Sequence, residues 1–317
     1  MRTSLPVRRY EVRYWIRAVL SRMLRVIPLT AVDRIRRARR AAPAGSVQHR
    51  SWQRILNVLR HRSIGADVGA IRIDELGIIL TNDEAVLTKR LYFLGEYEAG
   101  EWYWWQKWCE HSAHVVEFGA NTGVYTIVGG RVASVQSYVA VEPHPHTAEI
   151  LRRNLQLNGV TRVQVVQAAV VGERTVSRLT LAVPDRDRDA TPTGAHLVSA
   201  SDHELAREVI EVEVVEARTF VERADLIKMD IEGQELAVLR AVEPVLIERC
   251  PTLFIELRRS SDALRSYLPE LCARAQYSVF AIHGRVLQPI SVADIGHLDF
   301  QQRFGTRDVV LTTHALA

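Results

Sequence analysis

The sequence predicts a doubly wound α/β protein: a mostly parallel sheet of seven strands, preceded by a basic helical N-terminal extension. Three observations predict it. From His114 onwards, short apolar runs alternate with amphipathic helical stretches, the rhythm of a parallel sheet covered by helices. A glycine loop follows the first of those runs. Residues 1–62 hold 16 arginines against only Glu11 and Asp33. With 317 residues and 47% hydrophobic content, the chain has material for one large domain with an extension, or for two modest ones.

The net charge of +4 conceals a split, because the first 62 residues carry a local balance of +14 and the remainder about −10. Val12, Trp15, Ile16, Val19, Leu20, Met23, Leu24 and Ile27 follow helical spacing, with Arg13, Arg17, Arg22 and Arg25 between them. That pattern is a basic amphipathic helix, which Pro28 should end or kink. Trp52, Ile55, Leu56 and Leu59 predict a second helix after the loop around Pro43 and Gly45. Two uses of this extension stand open: peripheral contact with a membrane, or packing of its apolar stripe on the main domain or a second subunit. All but Lys89, Lys107 and Lys228 of the 41 basic residues are arginine, so a general preference for arginine accounts for part of the charge. No apolar run approaches the roughly 18 residues of a membrane span, and no secretory pattern is present. Cys109, Cys250 and Cys272 are widely spaced, which points to neither a disulfide framework nor a thiolate zinc site. The expectation is a cytoplasmic protein, peripheral at the inner face of the membrane if the extension docks there.

Residues 63–112 read as a lead-in packing on the main domain, with short β-type runs from Val68 to Leu80, a turn at Gly77, and an aromatic helical stretch from Glu96 to Trp108. Its tryptophans are expected to be core and lid packing rather than a platform for bases. Residues 113–317 form the expected main domain. Its strands are Val115 to Phe118, Tyr138 to Val141, Val163 to Val166, Leu226 to Met229, Leu253 to Leu257, Tyr277 to Ile282 and Asp308 to Thr312. Two extra strands, Ser177 to Val183 and Val209 to Val215, flank a polar loop from Pro184 to His203, the candidate lid.

The first strand runs into Glu117-Phe118-Gly119-Ala120-Asn121-Thr122-Gly123, followed by a helix from Val124 to Ala133. Gly119 and Gly123 let backbone approach a nucleotide-like ligand, and the helix start offers N–H groups to an anion. Asn121 tolerates a left-handed conformation. A dinucleotide loop would need glycine where Asn121 and Val124 stand, so a nicotinamide cofactor fits poorly. The second strand ends in Glu142, where a carboxylate can accept hydrogen bonds from both hydroxyls of a ribose. The fourth strand ends in Lys228-Met229-Asp230-Ile231-Glu232-Gly233-Gln234-Glu235. Ligands in such sheets lie at the strands' C-terminal ends, so Asp230 and Glu232 face the expected crevice. Two acids this close can raise one another's pKa, which suits a general base. Glu235 either favours the positive end of the next helix or touches substrate.

These segments, with Val141-Glu142-Pro143-His144-Pro145-His146 and the later Asn154 and Asn158, resemble the FkbM-type methyltransferases over roughly Gly95 to Thr313. The resemblance implies a class I, Rossmann-like methyltransferase sheet, S-adenosylmethionine as donor, and methyl transfer to a hydroxyl of a sugar, glycan or secondary metabolite. Carried onto this chain, it implies that the loop of Gly119, Ala120, Asn121, Thr122 and Gly123 passes beside the donor's methionine part, with Glu117 also among the donor-binding residues. Glu142 with Pro143 would hold the ribose, Gln167 and Ala168 would lie near adenine, and Asp230 would stand between donor and acceptor. Glu117 occupies a place where many relatives have Asp. Arg258 stands where histidine is often expected, which weakens any acid and histidine pairing there.

An alcohol is a poor nucleophile until it loses its proton, so Asp230 or Glu232 is the expected base, with Glu256 and His196 as helpers. His144 and His146 are read as helix-entry residues, and no metal site is assigned, although Asp230, Glu232 and Glu256 together are the acids that would hold a divalent ion. Two other classes stay in view. An RNA methyltransferase would use the basic extension, against the negative charge of the main domain. A non-catalytic, membrane-docked binding protein would keep the sheet alone.

Overall fold

The computed structural model describes residues 23–24, 26–65, 68–82, 86–95, 99–184, 196–197, 206–258 and 260–314. The chain divides into two compact units, Met1–Tyr97 and Glu98–Ala317. The division falls inside the 63–112 segment, because the β-type runs of that segment group with the N-terminal helices and only its aromatic helix goes with the sheet.

In the first unit, one helix spans Leu29–Ala41 directly after Pro28, and a second spans Val47–Leu59, its start capped by Ser46 Oγ accepting from His49 N–H. Strands β1 (Ala70–Ile73) and β2 (Ile78–Thr81) form an antiparallel hairpin whose turn places Gly77 at φ +61°. A third helix spans Val86–Leu94. Val32, Leu56, Leu59, Ile73, Ile78, Leu80, Leu91 and Phe93 make the buried core of this unit. The Leu29–Ala41 helix escaped the periodicity because two of its inward positions are arginines. Arg36 pairs with Asp33 at 2.9 Å and lies 4.2 Å over the Tyr92 ring, and Arg39 pairs with Glu75 at 3.0 Å. The helix expected from Val12 to Ile27 lies mostly outside the described residues.

The second unit opens with a helix, Ala99–Glu110. Its strands are β3 (His114–Phe118), β4 (Ser137–Val141), β5 (Val163–Val166), β6 (Ala169–Val171), β7 (Arg178–Pro184), β8 (His196–Leu197), β9 (Ala206–Glu216), β10 (Leu226–Met229), β11 (Thr252–Glu256), β12 (Ser278–His283), β13 (Val286–Ile290) and β14 (Asp308–Thr312). The main sheet has the order β13-β12-β14-β11-β10-β3-β4-β5. Strands β5, β4, β3, β10 and β11 are parallel, and β14 runs antiparallel between β11 and β12. This is the expected class I, Rossmann-like order with one correction: the sheet has eight strands, not seven. The eighth, β13, closes a hairpin on β12 at the edge. Its residues are half exposed or exposed and include Pro289, so no apolar run announced it, as befits an edge strand.

Strands β6, β9, β7 and β8 build a second, four-stranded sheet between β5 and β10. Apart from His196 and Leu197, the lid candidate lies outside the described residues between Pro184 and Ala206. The chain leaves β3 toward β4 and β5, then returns to lay β10 and β11 on the other side of β3. That reversal opens a crevice at the C-terminal ends of β3 and β10.

On one face of the sheet, Val116, Phe118, Ile227, Met229, Leu253 and Ile255 join a large apolar cluster with the helices Glu235–Arg249 and Asp262–Ala275. On the other face, fully buried Trp105 meets Tyr125, Tyr138 and Phe254 edge-on at 5.4–6.5 Å between ring centres. Its indole N–H donates to the Tyr125 carbonyl at 3.1 Å. The tryptophans are packing, as the sequence indicated: Trp102 and Trp108 are buried as well. Trp105→Ala is expected to lower the unfolding free energy by about 3–5 kcal/mol. Urea denaturation followed by circular dichroism measures it, and a loss below about 1 kcal/mol would contradict this packing role.

Candidate active site

The glycine loop is shaped by what crosses it. Gly119 has φ +83°, and a β-carbon there would lie 1.8 Å from the Asp230 carbonyl oxygen. Only glycine lets the end of β3 pass this close to the end of β10. Asn121 takes the left-handed conformation (φ 49°), as its type allows. Gly123, at φ +88°, would press a β-carbon onto Leu151 Cδ1 of the helix Pro145–Leu157. Buried Asn154 of that helix donates to the Thr122 carbonyl at 2.8 Å, fixing loop to helix.

The loop's own amides are used within the protein. Gly119 and Ala120 both donate to the Val141 carbonyl, Asn121 donates to Glu142, Thr122 to the Asn121 side chain, and Gly123 to the Ala120 carbonyl. The loop therefore offers a ligand its contour rather than a row of free N–H groups. Thr122 Oγ, fully buried, has no hydrogen-bond partner, the kind of orphan that a bound polar group would satisfy.

Glu142 closes β4. Its carboxylate accepts from Asn121 N–H at 2.9 Å and from His144 N–H at 2.9 Å, so the acid and the loop are one assembly. Burial lifts its pKa to about 7, against the two backbone donors that favour the charged form. Each oxygen still has a lone pair for a further donor, which fits a ribose. Pro143 stands beside it, and His144 caps the following helix by accepting from Thr147 N–H, the helix-entry role expected of it. Gln167 and Ala168 follow the end of β5, with Gln167 exposed and accepting from Arg152 at 3.2 Å, and Ala168 buried.

Glu117 leads from β3 into the loop. Its carboxylate is buried on the aromatic side of the sheet, accepting from the Tyr138 hydroxyl at 2.5 Å and Thr126 Oγ at 2.7 Å. Burial raises its pKa to about 7, against the nearby charge of Lys228. The structure thus gives Glu117 partners within the fold, beneath the loop rather than along it.

Asp230, Glu232 and Glu256 lie at and just beyond the ends of β10 and β11. Asp230 is half-buried, its carboxylate 3.5 Å from Lys228 Nζ. Glu256 ends β11 in the register next to Asp230, following the Met229 and Ile255 pair. Burial first, and then the Asp230 charge, raise the Glu256 pKa, while Arg307 at 2.8 Å opposes the rise. Glu232 adopts the left-handed conformation (φ 55°) and pairs with Arg258 at 2.5 Å. Its pKa is lifted to about 7 by burial and by Asp230. Arg258, the departure noted in the sequence, thus meets Glu232 where a histidine was often expected. Glu235 is settled as a turn residue: its carboxylate accepts from Ile231 and Gly233 N–H groups at 3.0–3.2 Å. His196 falls in β8, and among the described residues no group of three histidine, cysteine or acidic side chains is arranged to hold a metal ion.

Sequence reasoning missed Lys228. Buried in the middle of a strand, its ammonium sits 4.6 Å over the Tyr125 ring and faces Asp230. The one signal was a lysine in an otherwise apolar strand of a chain that almost never uses lysine. Glu117 and Glu142 bind protons more tightly folded than unfolded, so stability should fall as pH rises from about 4.5 to 7. Urea unfolding of ligand-free protein at about pH 5.5 and pH 8 tests this. Glu117→Gln should flatten the difference, and a stability that rises over this window and is unchanged by the substitution would contradict it.

Comparison with known proteins places the sequence in a family. The family described as Methyltransferase FkbM domain matches residues 117–279, more than half of the chain. Methyltransferase 1 of Beauveria bassiana (strain ARSEF 2860) is 26% identical over 159 residues, covering 45% of this chain and 64% of that protein. The chain thus spans just under two thirds of that relative's length. Among solved structures, the methyltransferase FkbM of Methylobacillus flagellatus KT matches with a TM-score of 0.39 and 18% identity, over 80% of this chain and 61% of that one. An O-methyltransferase of Bacillus cereus, solved in complex with SAH, matches with a TM-score of 0.36 and 12% identity, over 69% of this chain and 83% of that one. With its glycine loop, Glu142 and Asp230 all in the matched span, the chain belongs to the FkbM methyltransferase family.

Proposed function

We propose that this chain is an S-adenosylmethionine-dependent O-methyltransferase whose acceptor is a hydroxyl of a sugar, glycan or secondary metabolite. The observation that carries this reading is the junction of three strand ends: the loop at Gly119 lies against the Asp230 carbonyl, and Asn121 of the same loop donates to Glu142. A donor resting on the loop with its ribose on Glu142 has Asp230 beside it. In this reading residues 113–317 are the transferase domain, 63–112 its lead-in, and 1–62 an extension touching the inner face of the membrane peripherally.

The donor, when bound, supplies an electrophilic methyl group on a sulfonium; the chain's part is to bind, align and move a proton. Ala120, Thr122 and Gly123 contour the methionine part, Glu142 with Pro143 holds the ribose, and Gln167 and Ala168 border the adenine. Asp230 takes the proton from the acceptor hydroxyl as that oxygen becomes nucleophilic. Lys228 steadies the Asp230 carboxylate from below, and Glu256, itself inclined to hold a proton, lies next to it. Glu232 and Arg258 stand across the mouth as a pair that can orient the acceptor's other polar groups. Alignment of oxygen and methyl supplies much of the rate.

Isothermal titration with S-adenosylhomocysteine tests the donor site. Wild type and Asp230→Ala are expected to bind and Glu142→Ala to lose binding, and no binding by well-folded wild type would sink the proposal. Because the ribose hydroxyls donate to ionised Glu142, whose pKa is about 7, affinity should be about tenfold weaker at pH 6 than at pH 8. Affinity that is flat over this range would contradict the role of Glu142. For the acceptor, methyl-labelled donor and a cell extract should yield a labelled product stable to mild alkali, as an ether is and an ester is not. Label that ribonuclease makes acid-soluble would indicate RNA instead.

A further inference from the structure

We infer that the outward face of the helix pair Leu29–Ala41 and Val47–Leu59 is a docking surface for an anionic lipid bilayer. The inference rests on the reading that residues 1–62 touch a membrane, and it names the face that does so. Between residues 26 and 62 the chain has nine arginines and a single acid, Asp33. Four of these arginines are drawn inward or onto neighbours: Arg36 to Asp33, Arg39 to Glu75, Arg40 to Asp74, and Arg62, buried, to the Ser63 carbonyl. Arg34, Arg37, Arg50 and Arg54 are exposed, and among the described residues no carboxylate pairs with them.

Their positions follow helical geometry. In Val47–Leu59 the buried residues are Leu56 and Leu59, and the opposite face presents Val47, Arg50, Ser51, Arg54, Ile55 and Val58, spaced i, i+3, i+4, i+7, i+8 and i+11. In Leu29–Ala41, Arg34 and Arg37 are exposed opposite Val32, Arg36 and Arg39. Both helices pack on the helix Val86–Leu94, and the residues on their opposite sides are exposed among the described residues.

Charge alone would suit RNA equally well, and the apolar side chains decide between them. Ten large apolar side chains are exposed among the described residues; three of them, Val47, Ile55 and Val58, lie on this face of the helix Val47–Leu59, and two more, Met23 and Val26, lie just before the helix Leu29–Ala41. Valine and isoleucine gain nothing against a sugar-phosphate backbone. In the headgroup region their burial and the arginines' attraction to lipid phosphate add together, as for a helix lying in the plane of the interface.

Vesicle co-sedimentation of the full chain tests the inference, using phosphatidylcholine vesicles with and without about 30% phosphatidylglycerol. Binding is expected only to the anionic vesicles. With each arginine near the surface contributing about 1 kcal/mol, Arg34→Gln, Arg37→Gln, Arg50→Gln and Arg54→Gln together should weaken binding on the order of a thousandfold. Ile55→Ser with Val58→Ser should weaken it at high salt, where the charge contribution is screened. Arg8→Gln, Arg9→Gln, Arg13→Gln and Arg17→Gln form the comparison set, and circular dichroism confirms that each variant is folded. Stronger loss from the helix-pair variants than from the comparison set supports the inference. Binding lost only in the comparison set would overturn it while leaving the membrane reading intact. Failure of wild type to bind any vesicle, or binding to polyuridylate instead, would overturn both.

Discussion

The site depends on one steric fact: the α-carbon of Gly119 and the carbonyl of Asp230 occupy adjoining space where the parallel neighbours β3 and β10 end side by side. A β-carbon at Gly119 would lie 1.8 Å from that oxygen, far inside contact distance. Because no side chain intervenes, the loop can settle against the end of β10 while Asn121 reaches across to Glu142. Three strand ends that are far apart in sequence are thereby held as one surface. The reversal of strand order at β3 opens the crevice there, and the glycine determines how closely its two banks approach.

The same junction concentrates acids. Glu117, Glu142, Glu232 and Glu256 all have raised pKa values, each with burial as the first cause. Their surroundings differ in kind. Glu142 meets backbone donors, Glu117 meets hydroxyls, and Glu232 and Glu256 each meet an arginine at the mouth. Lys228 is the cation at the bottom, between Glu117 and Asp230. A crevice that holds acids in unlike environments can give them unlike roles, which is how a binding carboxylate and a proton acceptor coexist within one site.

The sheet was legible because parallel strands are continuous apolar runs, and each of the seven expected strands lies within a residue or so of its observed position. What escaped had no such signal. β13 is a polar edge strand, and the helix Leu29–Ala41 turns paired arginines inward, so charge concealed its buried face. The loop and both acids after β4 and β10 were legible from spacing, because glycine and carboxylate at those strand ends have few structural substitutes. The inward aim of Glu117 was not legible, since its surroundings follow from register with Ala140 and Lys228 on the neighbouring strands. Nor was Lys228, whose partners come from the helix after the loop and from the strand's own end.

The central claim is that the loop at residues 119–123, Glu142 and Asp230 form a single donor site. A crystal structure of the full chain with S-adenosylhomocysteine tests it most directly. The account predicts the ribose hydroxyls within hydrogen-bond distance of the Glu142 carboxylate, and the sulfur between the loop and Asp230. A ligand bound elsewhere on the chain, or one that leaves Glu142 without a hydroxyl partner, would contradict it.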